Sequence, residues 1–391
     1  MDEAATISSA DVRSFLDLAY QFSAKSLGRM FEKEGPDGDL TLVPDLMDTA
    51  FKIGLAASPD PAAAGHDYGI WGAMTEEAGA APSALMLAAI AETCAGAAMC
   101  LHAQGVAANL LAPAAGTLRL PRTPIRAALA IQEGPFPFPF AAIRDTDGAP
   151  HGVIRTEARA ESGGYRITGR KDYVYSITGV DTFAVFTRLS GGLACFAVPA
   201  DTSGLSLSDA GLRTGLRACP LHTVALNDVF VPAAARIDDG DAAGLVMRAL
   251  ALSWTGMAAI AVGIARGAAN SARRYAAERY QGGAIIERHP AVKMLVGGSE
   301  SKANAVMAAL AALRPADPAS PPFLKHAAEL KLAATRQCAE AVSDCLQVFG
   351  GYGYMEDFGM EKRLRDATVL KSAWGPPYFL KQFIFDLDRE V

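Results

Sequence analysis

Between Arg248 and Arg266 the chain runs through ALALSWTGMAAIAVGIA without a charged residue. A helix that is apolar on every side has no face to offer water, so other helices or lipid must surround it. At about 1.5 Å of rise per residue the run is slightly short for a bilayer, and its Ala and Gly let neighbouring helices approach closely. The sequence therefore predicts a buried central helix and no membrane span. Such a helix needs a large body of protein around it. The chain has 391 residues, 51% hydrophobic and 20% charged, which is ample apolar surface for a multi-lobed core and excludes general disorder.

The sequence around that run falls into three blocks. From Ala10 to about Thr117 apolar residues recur at helical spacing, within stretches such as APSALMLAAIAETCAGAAMCLHAQGVAANLL. Near Pro121 the texture changes to β-branched and aromatic residues broken by Gly, Pro and Asp-Gly, and it continues to about Arg236. After the acidic loop Asp238-Asp239-Gly240-Asp241, helical spacing returns and predicts helices over 245–280, 290–313 and 323–349. In the last of these, Phe323, Ala327, Leu330, Ala334, Cys338, Ala341, Cys345 and Val348 share a stripe that Gly350-Gly351 terminates. The expected class is α+β, with a helical domain at 1–126, a central β domain at 127–237 and a helical domain at 238–391.

Lys and Arg number 36 against 42 Asp and Glu, a net charge of −6. No basic excess points to nucleic acid, although a local cationic pocket for a phosphorylated ligand remains compatible with an acidic chain. The six cysteines form no CxxC pair and no His stands at ligand spacing, so neither a metal site nor a disulfide framework is expected, and a reduced cytoplasmic protein is. The opening MDEAATISSADVRSF lacks the basic and apolar regions of a secretory signal.

Two segments carry a specific resemblance. ERYQGG (278–283) and LQVFGGYGYMEDFGMEKRLRD (346–366) resemble the acyl-CoA dehydrogenase family, in which a long helix ends in Gln-x-x-Gly-Gly-x-Gly-Tyr, followed by an acid, a Glu-(Lys/Arg) pair and Arg-Asp. Here those positions are Gln347, Gly350, Gly351, Gly353, Tyr354, Asp357, Glu361, Lys362, Arg365 and Asp366. YRITGRKDYVYS and GLRACPLHTVALNDVFVP are similar too, and the order of blocks agrees over nearly the whole chain.

The resemblance implies an N-terminal helical domain, a central β-barrel-like domain and a C-terminal four-helix bundle. It also implies a homo- or hetero-oligomer with FAD at the subunit interface. Carried over residue by residue, Arg279 and Gln281 would contact the phosphate and adenosine part of FAD, with Gln347, Gly350 and Gly351 doing so from the neighbouring subunit. Gln132, Tyr173, Tyr175 and Ser176 would lie toward the flavin. The implied substrate is an acyl-CoA or acyl-carrier thioester, and the implied acceptor is electron-transfer flavoprotein or a substitute. Arg365 and Asp366 are expected to form a structural ion pair.

The sequence departs from the family where the chemistry is done. The carboxylate that removes the α-proton commonly sits eight residues after the Arg-Asp pair. That position is Trp374, whose indole donates one N–H and has no basic lone pair. The alternative position falls near Ser253-Trp254-Thr255, again without an acid. Loss of a positioned base costs typically ~10²–10⁴-fold in rate. The loop expected to bring N–H groups to the phosphates reads QEGPFPFP (132–139), and proline has no N–H. Tyr175 stands where a small hydroxylic residue is usual, and Pro376-Pro377 replaces further small ones.

The remaining base candidates are Glu133, preferred because burial would raise its pKa, then Tyr175 and Asp357. Trp254, Trp374, Tyr175, Phe136 and Phe138 all map near one cavity, which is expected to be narrowed or filled. Three enzymatic readings follow: an acyl-thioester dehydrogenase or related base-independent enzyme such as a decarboxylase or desulfinase; a partner subunit that completes the FAD site of a second dehydrogenase-like chain in a heterotetramer; and a flavin monooxygenase on the same fold. A non-enzymatic binding module is the fourth reading.

Overall fold

A computed structural model describes residues 9–27, 43–116, 123–134 and 154–387. The N-terminal block contains α1 (Ser9–Phe22), which runs into a π-helical turn, then α2 (Val43–Lys52), α3 (Thr75–Ala78), α4 (Ala81–Ala91) and α5 (Ala95–Leu111). Helices α4 and α5 are buried on nearly every side, which their Ala-rich composition permits because small side chains let backbones pack closely.

The central block is a curled seven-stranded sheet: β1 (Ala127–Ala130), β2 (Glu157–Glu161), β3 (Gly164–Tyr175), β4 (Thr182–Leu189), β5 (Gly192–Pro199), β6 (Leu205–Asp209) and β7 (Leu221–Pro232). The order is β1-β4-β2-β3-β7-β6, with β5 on the other side of β4. Both β1 and β2 pair with β4 in parallel, while β4–β5 and β2–β3 are antiparallel hairpins. The continuous apolar run of β4 has a simple cause. Side chains alternate across a strand, so Phe183 and Val185 enter a small core on one face while Ala184 and Phe186 enter the main core on the other.

The C-terminal block is built on α6 (Ala242–Glu278), α7 (Pro290–Ala311), α8 (Pro321–Val348) and α9 (Met360–Leu370), with α10 (Pro377–Leu387) packed on α8. The three long helices lie where the sequence places them. The acidic loop has a structural job: Asp241 caps α6 by accepting the Gly244 N–H at 2.9 Å, and Asp238 accepts the Cys195 N–H from β5 at 2.8 Å. The uncharged run of α6 is buried throughout, packed by α4, α5, α7 and α8. Two helical stretches, Ala95–Ala114 and α6, are long and apolar enough to cross a membrane, and most of each is enclosed by protein. One main core joins the N- and C-terminal helices, and all six cysteines are free and buried.

Candidate functional site

The C-terminal ends of two helices, α6 and α8, meet to form the larger site. Helix α6 stops because Arg279 leaves helical geometry at ψ 123°, and the chain turns through a short hairpin, β8 (Tyr280–Gln281) and β9 (Ala284–Ile285). The hairpin turn is Gly282-Gly283, at φ 65° and 83°, which glycine adopts without steric cost. A His289 ring nitrogen 2.9 Å from the Gln281 carbonyl ties the hairpin to the start of α7. Beside it α8 ends at Val348, and Gly350 turns the chain at φ 56°.

Together they enclose a cavity of about 660 Å³ lined by Arg279, Gln281, His289, Gln347, Gly350, Gly351 and Tyr352, among others. Arg279 and Gln281 are thus brought together with Gln347, Gly350 and Gly351 within one chain, whereas the resemblance had divided the two groups between subunits. The cause is the packing of α6 along α8, which puts the end of one beside the end of the other.

The cavity has the chemistry of an anion site. The guanidinium of Arg279 contacts Gln281 Oε1 at only 3.5 Å, and its Nε is buried without a hydrogen-bond partner. An unspent buried donor is costly unless a ligand takes it. The apolar wall is built from Tyr275 and Phe349, stacked at 4.4 Å between centroids, with Tyr352 beside them. Gly351 is not demanded by the chain itself. Its φ lies outside the left-handed region, and a Cβ built there meets nothing within 4 Å.

Gln132, Tyr173, Tyr175 and Ser176 do not line this cavity. Tyr173 sits at a β-bulge in β3 with φ 54° and is 41% exposed. Ser176 Oγ is buried without a partner, and the Gln132 carbonyl accepts the Asp172 N–H at 2.9 Å. Residues 135–139 of the proline-rich loop, with Phe136 and Phe138, lie outside the described residues.

Tyr175 belongs instead to a second cavity, with Met99, His102, Val106, Leu129, Ser253 and Trp374 among its walls. Its volume is about 10 Å³, the size of a single water site. Of the five aromatic residues expected around one cavity, Tyr175 and Trp374 line this one and Trp254 does not, while Phe136 and Phe138 lie outside the described residues. The loop that carries Trp374 is clamped by two side chains through three hydrogen bonds. Trp254 Nε1 donates to the Trp374 carbonyl at 2.7 Å, and Lys331 Nζ donates to the Ala373 and Gly375 carbonyls at 2.5 Å each. Lys331 is fully buried on α8, and burial pushes its pKa down to about 7. Trp374 itself is held at φ 54°, a conformation that a bulky residue rarely adopts and that the clamp enforces.

The three base candidates sit in different surroundings. Burial acts to raise the Glu133 pKa, but Lys171 at 2.6 Å and the hydroxyl and N–H of Thr156 outweigh it, so the carboxyl is held below its ordinary range. This reverses the expectation of an elevated Glu133: its role is to join β3 to the segment leading into β2. Tyr175 is pushed further up, chiefly by burial and secondly by Cys219, and stays protonated at neutral pH. Asp357 is exposed on a one-turn 3₁₀ helix. Arg365 and Asp366 do not pair with each other: Arg365 binds Glu361 at 2.6 Å, while Asp366 binds Lys362 at 2.5 Å and accepts the Leu216 N–H. Neighbours on a helix diverge by about 100°, so each finds its partner at i−4.

The sequence did not single out His102 or Lys331. His102 Nδ1 accepts the Trp71 Nε1–H at 2.8 Å, which places the ring proton on Nε2, and burial drives its pKa to about 3. The available signal was position: His102 lies within the Ala-rich run of α5, and Lys331 stands at helical spacing from Ala327 and Ala334 of the buried stripe of α8.

The sequence of residues 243–380 matches the family model for the acyl-CoA dehydrogenase C-terminal domain. A short-chain specific acyl-CoA dehydrogenase of Clostridium acetobutylicum is 28% identical over 228 residues, covering 57% of this chain and 60% of that protein. The chain thus spans about three fifths of that relative's length. Among solved structures, butyryl-CoA dehydrogenase from Megasphaera elsdenii superposes with a TM-score of 0.79 over 99% of both chains at 20% identity. An acyl-CoA dehydrogenase complexed with FAD from Bacillus anthracis gives a TM-score of 0.76 at 18% identity, over 98% of this chain and 67% of that one.

Proposed function

We propose that the chain is a subunit of a FAD-dependent acyl-thioester oxidoreductase of the acyl-CoA dehydrogenase family, and that it lends the site for the dinucleotide end of FAD. The observation that carries this reading is the contrast between its two cavities. One is open and furnished for a diphosphate, and the other, at the family's base position, is closed by side chains.

The first cavity fits the cofactor by its own chemistry. Arg279 offers a planar fork with a buried unspent Nε, suited to a diphosphate, and Gln347 and Gln281 offer amide groups to an adenosine. Gly350 and Gly351 leave the backbone open to close approach. Bound there, FAD would supply the hydride acceptor for an acyl thioester.

On this reading the described residues do not complete the reaction by themselves. No carboxylate lines the second cavity, and a volume of about 10 Å³ admits no acyl chain. The acyl pocket, the base and the phosphate-binding loop are therefore assigned to a second dehydrogenase-like chain. The closed cavity favours this over an independent dehydrogenase. It also weighs against a monooxygenase, which likewise needs room for its substrate.

The test is flavin retention. The purified chain should bind ADP yet lose FAD on gel filtration, and should turn and stay yellow when mixed with a second dehydrogenase-like chain that carries a carboxylate at the position of Trp374. A single chain that retains one FAD per protomer and is reduced by an acyl-CoA would overturn the reading.

A further inference from the structure

We infer that Tyr352 is a positioning residue that aims the Arg279 guanidinium at the ligand's diphosphate. The inference rests on the reading of the larger cavity as a dinucleotide site. The guanidinium carbon of Arg279 lies 5.3 Å from the Tyr352 ring centroid. Tyr352 lies in the Gly350–Tyr354 turn and is 45% exposed, so the ring stands at the mouth of the cavity and not in the core. It is braced: Phe358 packs on it at 5.2 Å, and Phe358 is itself held edge-on by Phe349 at 5.6 Å and Tyr275 at 6.0 Å. The ring is therefore fixed to the ends of α6 and α8, the same two elements that carry the cavity.

The choice of an aromatic partner has a chemical consequence. An arginine is usually held by a carboxylate, which occupies its N–H donors and cancels its charge. Among the described residues no carboxylate pairs with Arg279, and its one side-chain hydrogen-bond partner is Gln281 at 3.5 Å. The face of an aromatic ring attracts a cation without taking any N–H. Tyr352 thus holds the guanidinium in place while leaving its N–H donors to a phosphate. Stacking needs the ring and not the phenolic hydroxyl, so phenylalanine should serve as well.

Calorimetric titration of the full chain with ADP tests this. Tyr352→Phe should bind within about twofold of the unaltered chain, and Tyr352→Leu about fivefold more weakly. In an Arg279→Gln background, where no cation faces the ring, Tyr352→Leu should cause no further loss. Equal weakening by Phe and Leu, or the same loss from Leu in both backgrounds, would overturn the positioning role while leaving the ADP site standing. Failure of the unaltered chain to bind ADP would overturn the site itself and this inference with it.

Discussion

Replacing Trp254 by alanine should lower the stability of the chain by about 4 kcal/mol, read as a large downward shift in the denaturant midpoint. The indole is fully buried on α6, packs edge-on against Phe383 of α10 at 5.3 Å, and donates its N–H to the Trp374 carbonyl. Alanine would leave a cavity and strip that carbonyl of its donor. Trp254→Phe separates the two losses, because it keeps most of the apolar bulk and removes the N–H. It should cost about 1–2 kcal/mol. A loss below about 1 kcal/mol for the alanine variant would mean that Trp254 is not the packing link between α6 and the 373–375 loop.

Gly351→Val should have the opposite signature: unchanged stability and an affinity for ADP or FAD reduced by about tenfold to a hundredfold. Nothing in the chain stands within 4 Å of a Cβ at this position, and its φ does not require glycine, so the fold pays nothing for the new side chain. A ligand lying against the backbone would meet the valine directly. Gly350→Val is the control, since φ 56° strains any branched residue there and should reduce stability by about 1 kcal/mol or more. Retained ADP affinity in Gly351→Val, measured by titration on protein of unchanged melting temperature, would place the ligand elsewhere.

The architecture was legible because it depends on period and composition. The uncharged run from 249 to 265 could only be a wrapped helix, and the alternation of β4 side chains between two cores explains a strand that reads as apolar throughout. The residues of the larger cavity were legible one at a time from the family motif. Their union in a single chain was not, because it follows from how α6 lies along α8, a pairing that sequence spacing does not encode. Glu133 shows a different limit. Its burial was foreseeable, but the sign of its shift depends on Lys171, which sits 38 residues away in the chain and 2.6 Å away in the fold. The same holds for Lys331, whose amine reaches across 42 and 44 residues to fix the loop that carries Trp374.

An anaerobic titration tests the small cavity beside Trp374 directly. The purified chain, supplied with excess FAD, is titrated with butyryl-CoA while the flavin absorption is followed. With Trp374 in place of a carboxylate, any reduction should be slower than in a competent dehydrogenase by about 10²–10⁴-fold, so the flavin should stay oxidised on the timescale of mixing. Prompt stoichiometric bleaching by the chain alone would contradict the account, because it would require an acyl pocket and a base that the described residues do not provide beside Trp374.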